Sequence, residues 1–473
     1  MSTPLYQELA DRMNGLIQAG TFTTGSKLPS VRRLSREQGV SITTAMEAYG
    51  RLEDLGLIES RARSGYFVRP PVVRDGQLPK PAEQSRKPIP VQCPEIFQAV
   101  MEAVSDRKIV SFGAAVPGDE IVPHKRLNTL TNSLIRRHGA AVYRYSMAPG
   151  RRELRTAISR RLLKAGMHAD PDDIVTTHGA TEALALAVRA VTRPGDVVAV
   201  ETPTYFGILH LLKDLGLNVV EIPMDAQQGI RLDALEELSS AYKIAVCIVQ
   251  PSFQNPLGSC MSDAAKKQLI ELAVREDFVI IEDDLYGELC HAGPRPSALT
   301  HFDRDDRVIH CGSVSKWLAP GLRIGWVISR RFRTELRRLK SVHYLSSSAL
   351  SELVVAEYFS GGGAERHLRR VGGIFGESCA RMREAVLAEF PAGTRINQPR
   401  GGFVLWVELP EGHDSEKLAA AALNQGISLI PGPIFSATCG LKHCLRLSCG
   451  ELWSKRSADA VRTLGRLAAE CRS

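Results

Sequence analysis

The most specific chemistry lies in one string, Ser313-Val314-Ser315-Lys316-Trp317-Leu318-Ala319-Pro320-Gly321-Leu322-Arg323-Ile324-Gly325. A lysine amine forms a Schiff base with a carbonyl held beside it, which makes Lys316 the candidate catalytic residue. The hydroxyls of Ser313 and Ser315 and the guanidinium of Arg323, seven residues past the lysine, can hold a phosphate by charge-assisted hydrogen bonds. Gly179-Ala180-Thr181 adds a second phosphate signal, because it opens a run of good helix formers from Glu182 to Arg189 whose first amides are free. A lone Ser-x-Ser-Lys is usually a surface loop. The Pro-Gly-x-Arg-x-Gly that follows at fixed distance sets this one apart.

These residues need a frame. The large part of the chain repeats apolar run, polar loop and helical pattern, the signature of parallel strands joined by crossover helices. Strands are expected at Ile174 to Thr176, Val197 to Val200, Ile244 to Val249, Phe278 to Ile281 and Val308 to His310. Each is followed at once by residues of unusual type: His178 to Thr181, Thr202 to Tyr205, Gln250 to Gly258, Glu282 to Tyr286, and Gly312 to Lys316. Ligands in open α/β sheets bind beyond the carboxyl ends of the strands, so the five loops are expected to share one pocket.

With its lysine string and loops, the chain from about Cys93 onward resembles the fold-type I aminotransferases. The resemblance implies an α/β body, a mainly parallel sheet with helices on both faces, and a small C-terminal α+β part over about 390–473. It also implies pyridoxal 5'-phosphate as cofactor and no metal. Asp283, in Asp283-x-x-Tyr286, would bond the pyridine nitrogen, with Tyr286 and Asn255 on the ring oxygen and Tyr205 stacked on the ring. Arg446, in Leu445-Arg446-Leu447-Ser448, matches the arginine that grips an amino-acid carboxylate. Tyr145, in Tyr145-x-x-x-x-Gly150, matches the tyrosine that crosses from a partner subunit to the phosphate, which implies a homodimer. On residue pattern alone, Asp283 also reads as a helix cap, Tyr205 as a core aromatic and Arg446 as a surface cation.

The first 69 residues read differently. Leu5, Leu9, Met13, Leu16 and Ile17 place one face of a first helix inward, Pro29-Ser30 starts a second helix ended by Gly39, and Ser41 caps a third carrying Ala45, Ala48, Tyr49, Leu52 and Leu55. Two short strands follow around Ser64-Gly65. Helix, helix, helix, hairpin is the winged helix-turn-helix order, and DNA recognition needs cations beside the reading helix. No acid interrupts Lys27 to Arg36, although the net charge of residues 1–70 is only about +2, nine basic against seven acidic. The candidate DNA contacts are Lys27, Ser30, Arg32, Ser41, Thr43, Thr44 and Arg63. Gly25-x-x-Leu28-Pro29-Ser30-x-Arg32, Gly39-Val40-Ser41 and Ser64-Gly65-x-Phe67-Val68 resemble the GntR-type DNA-binding domain. Ile42 stands where that family usually has Arg.

Residues 70–94 hold seven prolines among polar residues and read as a linker, leaving 95–473 as the body. The whole chain, 473 residues at net +8, has the composition of a globular protein with room for several domains. Its ten cysteines lack metal-ligand spacing and read as reduced thiols. Glu8 and Asp11 interrupt any leader pattern, and no run of eighteen apolar residues occurs, so the expected place is the cytoplasm, with no membrane partner. Head, linker and body together resemble the MocR subgroup of GntR-type transcription regulators. That resemblance implies a dimer that binds an operator in duplex DNA and senses pyridoxal phosphate, or a small amine or amino acid, through the Schiff base at Lys316. It would not be a true metabolic enzyme, with room for residual aminotransferase activity. The rival is a working aminotransferase with an accessory DNA-binding head. A third reading, the body as mere dimerisation scaffold, would not require Lys316, Asp283 and Arg323 together. The arginine run from Arg330 to Lys340 reads as a solvated helix face rather than a further DNA contact.

Overall fold

The computed structural model describes residues 4–18, 22, 26–54, 57–61, 64–68, 76–82, 87–92 and 109–472. The chain divides into two compact units, Met1–Gly76 and Gln77–Ser473.

In the first unit, helices α1 (Leu5–Gln18), α2 (Val31–Gln38) and α3 (Ile42–Asp54) precede strands β1 (Ile58–Arg61) and β2 (Gly65–Val68), which pair antiparallel. Ser30 caps α2 by accepting from the Arg33 amide at 3.3 Å, and Gly39 ends it in the left-handed region that glycine enters without cost. Ser41 accepts from the Thr44 amide at 3.0 Å and so starts α3. Leu9, Met13, Leu34, Ala45, Ala48, Tyr49, Leu52, Ile58 and Val68 form the core. Leu5, expected on the inward face of α1, is instead 56% exposed, because it sits in the first turn, ahead of the packed positions. Leu55, Gly56, Gly25, Arg63 and Arg69 lie outside the described residues.

The second unit is built on a mixed nine-stranded sheet. Its main strands are β3 (Ile174–Thr177), β4 (Val197–Thr202), β5 (Asn218–Asp225), β6 (Ile244–Val249), β7 (Val279–Asp283), β8 (Val308–Ser313) and β9 (Gly325–Ile328), with helix α4 (Ala180–Val191) after β3. The order runs Ile89–Pro90, β5, β4, β6, β7, β8, β9, β3. All five expected strands are present. Strands β4 to β8 run parallel to one another, and β9 lies antiparallel between β8 and β3. Alternate side chains enter different cores: Val246, Ile248, Val279 and Ile281 pack with α4, while Cys247, Val249 and Ile280 pack on the other face with Leu235 and Leu269. This period of two buries the sheet on both faces and accounts for the near-continuous apolar runs. Toward the C-terminus, β10 (Val404–Glu408) and β11 (Cys444–Ser448) form the centre of a four-stranded antiparallel sheet.

The described parts of the proline-rich segment are extended but packed on the body. Ile89 and Pro90 pair with Val219 and Asn218 at the sheet edge, a position that tolerates a proline without an amide donor, and the Lys80 amide donates to Glu408 at 2.7 Å. The arginine run lies at helix α5 (Arg333–His343), where Arg338 pairs with Glu335, Arg333 with Asp173, and Arg330 with Asp306. Lys340 departs from the solvated-face expectation: it is buried and donates to Glu182 at 2.6 Å. Among the described residues no helix is long and apolar enough to cross a membrane.

Candidate functional site

The carboxyl ends of the parallel strands open into a cavity of about 220 Å³. Of the residues singled out by sequence, Ala180, Thr181, Tyr205, Asn255, Asp283, Tyr286, Ser315, Lys316, Arg323 and Arg446 all line it. They come from six separate loops and strands, and the parallel order of β3, β4, β6, β7 and β8 is what brings their ends together.

One wall is a phosphate-sized cradle. Gly179 has a φ of +83° and leads into α4, so the first amides of that helix face the cavity. A Cβ at Gly179 would stand 2.7 Å from a nitrogen of Arg323, whose guanidinium donates to the His178 carbonyl at 2.8 Å. Arg323 itself takes a left-handed backbone at φ +52°, a conformation that costs an arginine about 1–2 kcal/mol and turns its side chain back over Gly179. Gly325 closes the same corner, since a Cβ there would meet the Gly179 backbone at 2.6 Å. Ser313 does not line the cavity; its hydroxyl accepts from the Ser315 amide at 3.1 Å and lies 2.8 Å from the Ser315 hydroxyl, so it shapes the turn that presents Ser315 and Lys316.

The floor is carboxylate and amide. Asp283, at the end of β7, accepts from the Gln250 side chain on one oxygen, and its other oxygen is buried with no protein partner. Burial pushes its carboxyl up to about 6, against the lowering pull of the Gln250 hydrogen bond. Behind it Glu201, pushed up to about 8 by burial, accepts from the Gln250 amide at 3.0 Å and from Gln254 at 3.1 Å. The Tyr286 hydroxyl is likewise buried and unpartnered.

The opposite wall is cationic. Burial lowers Lys316 to about 8, with Arg446 and Arg323 adding repulsion and Asp283 opposing it. Its amine donates to the Ala115 carbonyl at 2.5 Å. Arg446, fully buried on β11 and lowered to about 10 by that burial, donates to Asn255 at 3.2 Å and to the Gly113 carbonyl. A strip of backbone from Gly113 to Val116 therefore lies across both cations.

This donor set fits pyridoxal phosphate. An amine of lowered pKa suits an aldehyde, an unpartnered buried carboxylate oxygen suits a protonated ring nitrogen, an unpartnered phenol suits a ring oxygen, and the cradle of α4, Ser315 and Arg323 suits a phosphate.

Tyr145 stands apart from the cavity and is 75% exposed. Its loop is fixed from below by the buried Glu352, which accepts from Ser146, from Thr176 and from the Arg151 amide at 3.1 Å. In the first unit, Lys27, Ser30, Arg32, Ser41 and Thr43 are exposed, and Thr44 is half-buried. The Ser41 and Thr44 hydroxyls lie 2.8 Å apart in the cap of α3. Arg63 lies outside the described residues.

Comparison with known proteins agrees with both halves. Residues 108–463 match the aminotransferase class I and II family, and residues 5–68 match the bacterial regulatory proteins of the gntR family. The HTH-type transcriptional regulator YjiR of Escherichia coli K12, itself described as uncharacterized, is 37% identical over 97% of this chain and 98% of its own length. This chain belongs to the MocR-type transcription regulators. The MocR-type body is also similar to enzymes. Aromatic-amino-acid aminotransferase 1 of Thermococcus litoralis is 30% identical over 80% of the chain and 92% of its own length. Kynurenine aminotransferase of Pyrococcus horikoshii, solved in complex with PMP, superposes with a TM-score of 0.75 at 29% identity, covering 80% of this chain and 95% of that one. A MocR-type regulator thus joins a GntR domain, which binds DNA, to a body from a family that depends on pyridoxal phosphate.

Sequence reasoning missed Glu201, the role of Gln250, and the 113–116 strip in this MocR-type body. Glu201 carried a signal, a carboxylate ending the apolar run Val197 to Val200. The strip carried none, because Gly113 and Ala115 act through carbonyls that every residue has.

Proposed function

We propose that this regulator binds pyridoxal 5'-phosphate at Lys316 and uses the body to sense it, or a small amine or amino acid that exchanges with Lys316, and so adjusts how a homodimer holds operator DNA. The observation that carries the reading is the convergence of Lys316, Asp283, Tyr286 and Arg446 on one cavity. When bound, pyridoxal phosphate supplies an aldehyde that combines with amines and a ring that withdraws electrons. Arg323, Ser315, Thr181 and the start of α4 hold its phosphate. Asp283 holds the proton on the ring nitrogen, Tyr286 and Asn255 meet the ring oxygen, and Tyr205 packs on the ring. Arg446 takes an effector carboxylate, and Lys316 offers its amine and shuttles a proton once freed. A cluster of exposed apolar residues, Tyr143, Tyr145, Met147, Val342 and Leu345, lies around the paired strands Ser146–Met147 and Ser346–Ser347 and supports a twofold partner that buries it. Lys27, Arg32 and Arg63 meet phosphates, and Ser30, Ser41, Thr43 and Thr44 sit at the DNA-facing helix starts. On this reading the protein works in the cytoplasm, where bacterial DNA lies.

The test measures DNA affinity and keto-acid formation together, while amino acids and pyridoxal phosphate are screened. A ligand that shifts DNA affinity with little turnover supports the sensor. Multiple rapid turnovers with no change in DNA affinity overturn it. They would favour the second reading, a working aminotransferase, which rests on the completeness of the lysine, aspartate and arginine set.

A further inference from the structure

The outward face of α3 holds an apolar pair. Ile42 is 51% and Met46 55% exposed, one helical turn apart, while Ala45, Ala48, Tyr49 and Leu52 on the opposite side are buried in the core. Thr43 and Glu47 form the neighbouring exposed row. Large apolar side chains exposed on a helix face cost free energy in water, and neither of these two joins the core of the head. The flanking surface is cationic: Lys27, Arg32 and Arg36 are exposed on the segment that leads through α2 into α3. Cations beside an apolar strip suit a polyanion whose inner surface presents methyl groups, which describes the major groove of DNA at thymine. A carboxylate at Glu47 suits the same place, since it is repelled by phosphates and accepts from the amino groups of cytosine or adenine.

We infer that α3 reads its operator through thymine 5-methyl groups, with Ile42 and Met46 as the specificity-determining contacts. Arginine-to-guanine pairing is not the basis of recognition at the start of this helix. The inference rests on the operator reading proposed above.

The experiment starts with the full-length chain, loaded with pyridoxal phosphate, and enriches bound sequences from a random duplex library. In the enriched duplex each thymine is then replaced by uracil, which removes only the methyl. Burying one methyl corresponds to about a fourfold change in affinity, so one or more uracil positions should weaken binding about fourfold. Ile42→Ala and Met46→Ala, both at exposed sites that leave the core intact, should each erase the thymine–uracil difference at a particular position. Enrichment without any loss at any uracil position overturns the inference alone, as does a loss that persists unchanged in both variants. A chain that enriches no sequence overturns the operator reading itself, and the inference with it.

Discussion

Gln250 donates its side-chain amide to Asp283, so the carboxylate at the cavity floor has one oxygen occupied by protein and one left for a ligand. The bond keeps Asp283 from rising further than about 6. Replacing Gln250→Leu should push the Asp283 carboxyl higher still and weaken pyridoxal phosphate binding, because a neutral acid no longer pairs with a protonated ring. Titrating cofactor affinity against pH checks this: the loss should be greatest just above pH 6, where only the variant's carboxyl is still protonated, and shrink at lower pH, where both are protonated, and at pH well above the variant's raised pKa.

Asp283 also carries a stability cost with a definite sign. A carboxyl whose folded pKa is raised from 3.8 to about 6 favours the folded state when protonated and loses that favour as pH rises through 6. That rise corresponds to roughly 3 kcal/mol. In cofactor-free protein, Asp283→Asn should therefore gain up to about 3 kcal/mol at pH 8 in urea unfolding, with the gain vanishing below about pH 4, while cofactor affinity falls.

At Lys316 the lowered pKa of about 8 leaves about a tenth of the amine neutral near pH 7, far more than an ordinary lysine. The rate at which pyridoxal phosphate becomes fixed to the apoprotein should climb with pH and level off above about 8, whereas an ordinary lysine would keep climbing toward 10.5. Lys316→Ala should abolish the borohydride-fixed adduct. Survival of that adduct in the variant would place the attachment elsewhere.

Arg446→Lys keeps a charge but gives up the planar fork that matches a carboxylate. Affinity for α-amino acids should drop about tenfold or more, with simple amines and pyridoxal phosphate much less affected. If wild-type protein couples effector to DNA by about 1–3 kcal/mol, a 5- to 150-fold shift in DNA affinity should be lost for amino acids and kept for pyridoxal phosphate.

Arg32→Ala should weaken operator binding and reduce the steepness of the log-affinity against log-salt plot by about one unit, the signature of one phosphate contact. An unchanged slope would remove Arg32 from the phosphate-binding set.

Much of this was legible in the residues. The lysine string, the strand ends and the helix caps Ser30, Gly39 and Ser41 depend on local sequence, and local sequence announces them. Strand β9 did not announce itself, because its antiparallel insertion between β8 and β3 follows from pairing across the sheet rather than from periodicity. Lys340 was misread for a related reason: its neighbours are arginines in sequence, but its partner Glu182 is brought to it only by packing of α5 on α4. Leu5 shows the reverse case, a correct spacing at a position the head leaves in water.

The Gly113–Val116 strip makes the body its own competitor. The Ala115 carbonyl takes the Lys316 amine and the Gly113 carbonyl takes Arg446, the amine that a cofactor aldehyde would claim and the guanidinium that a carboxylate would claim. A ligand using both must exchange against the backbone of one short segment. Just before it, Val110 and Ser111 pair with Ile427 and Ser428 of the C-terminal part. Pyridoxal phosphate at Lys316 would release one end of that latch, and a carboxylate at Arg446 the other. With cofactor on the lysine and a carboxylate on the arginine, neither carbonyl of the strip would keep its cationic partner.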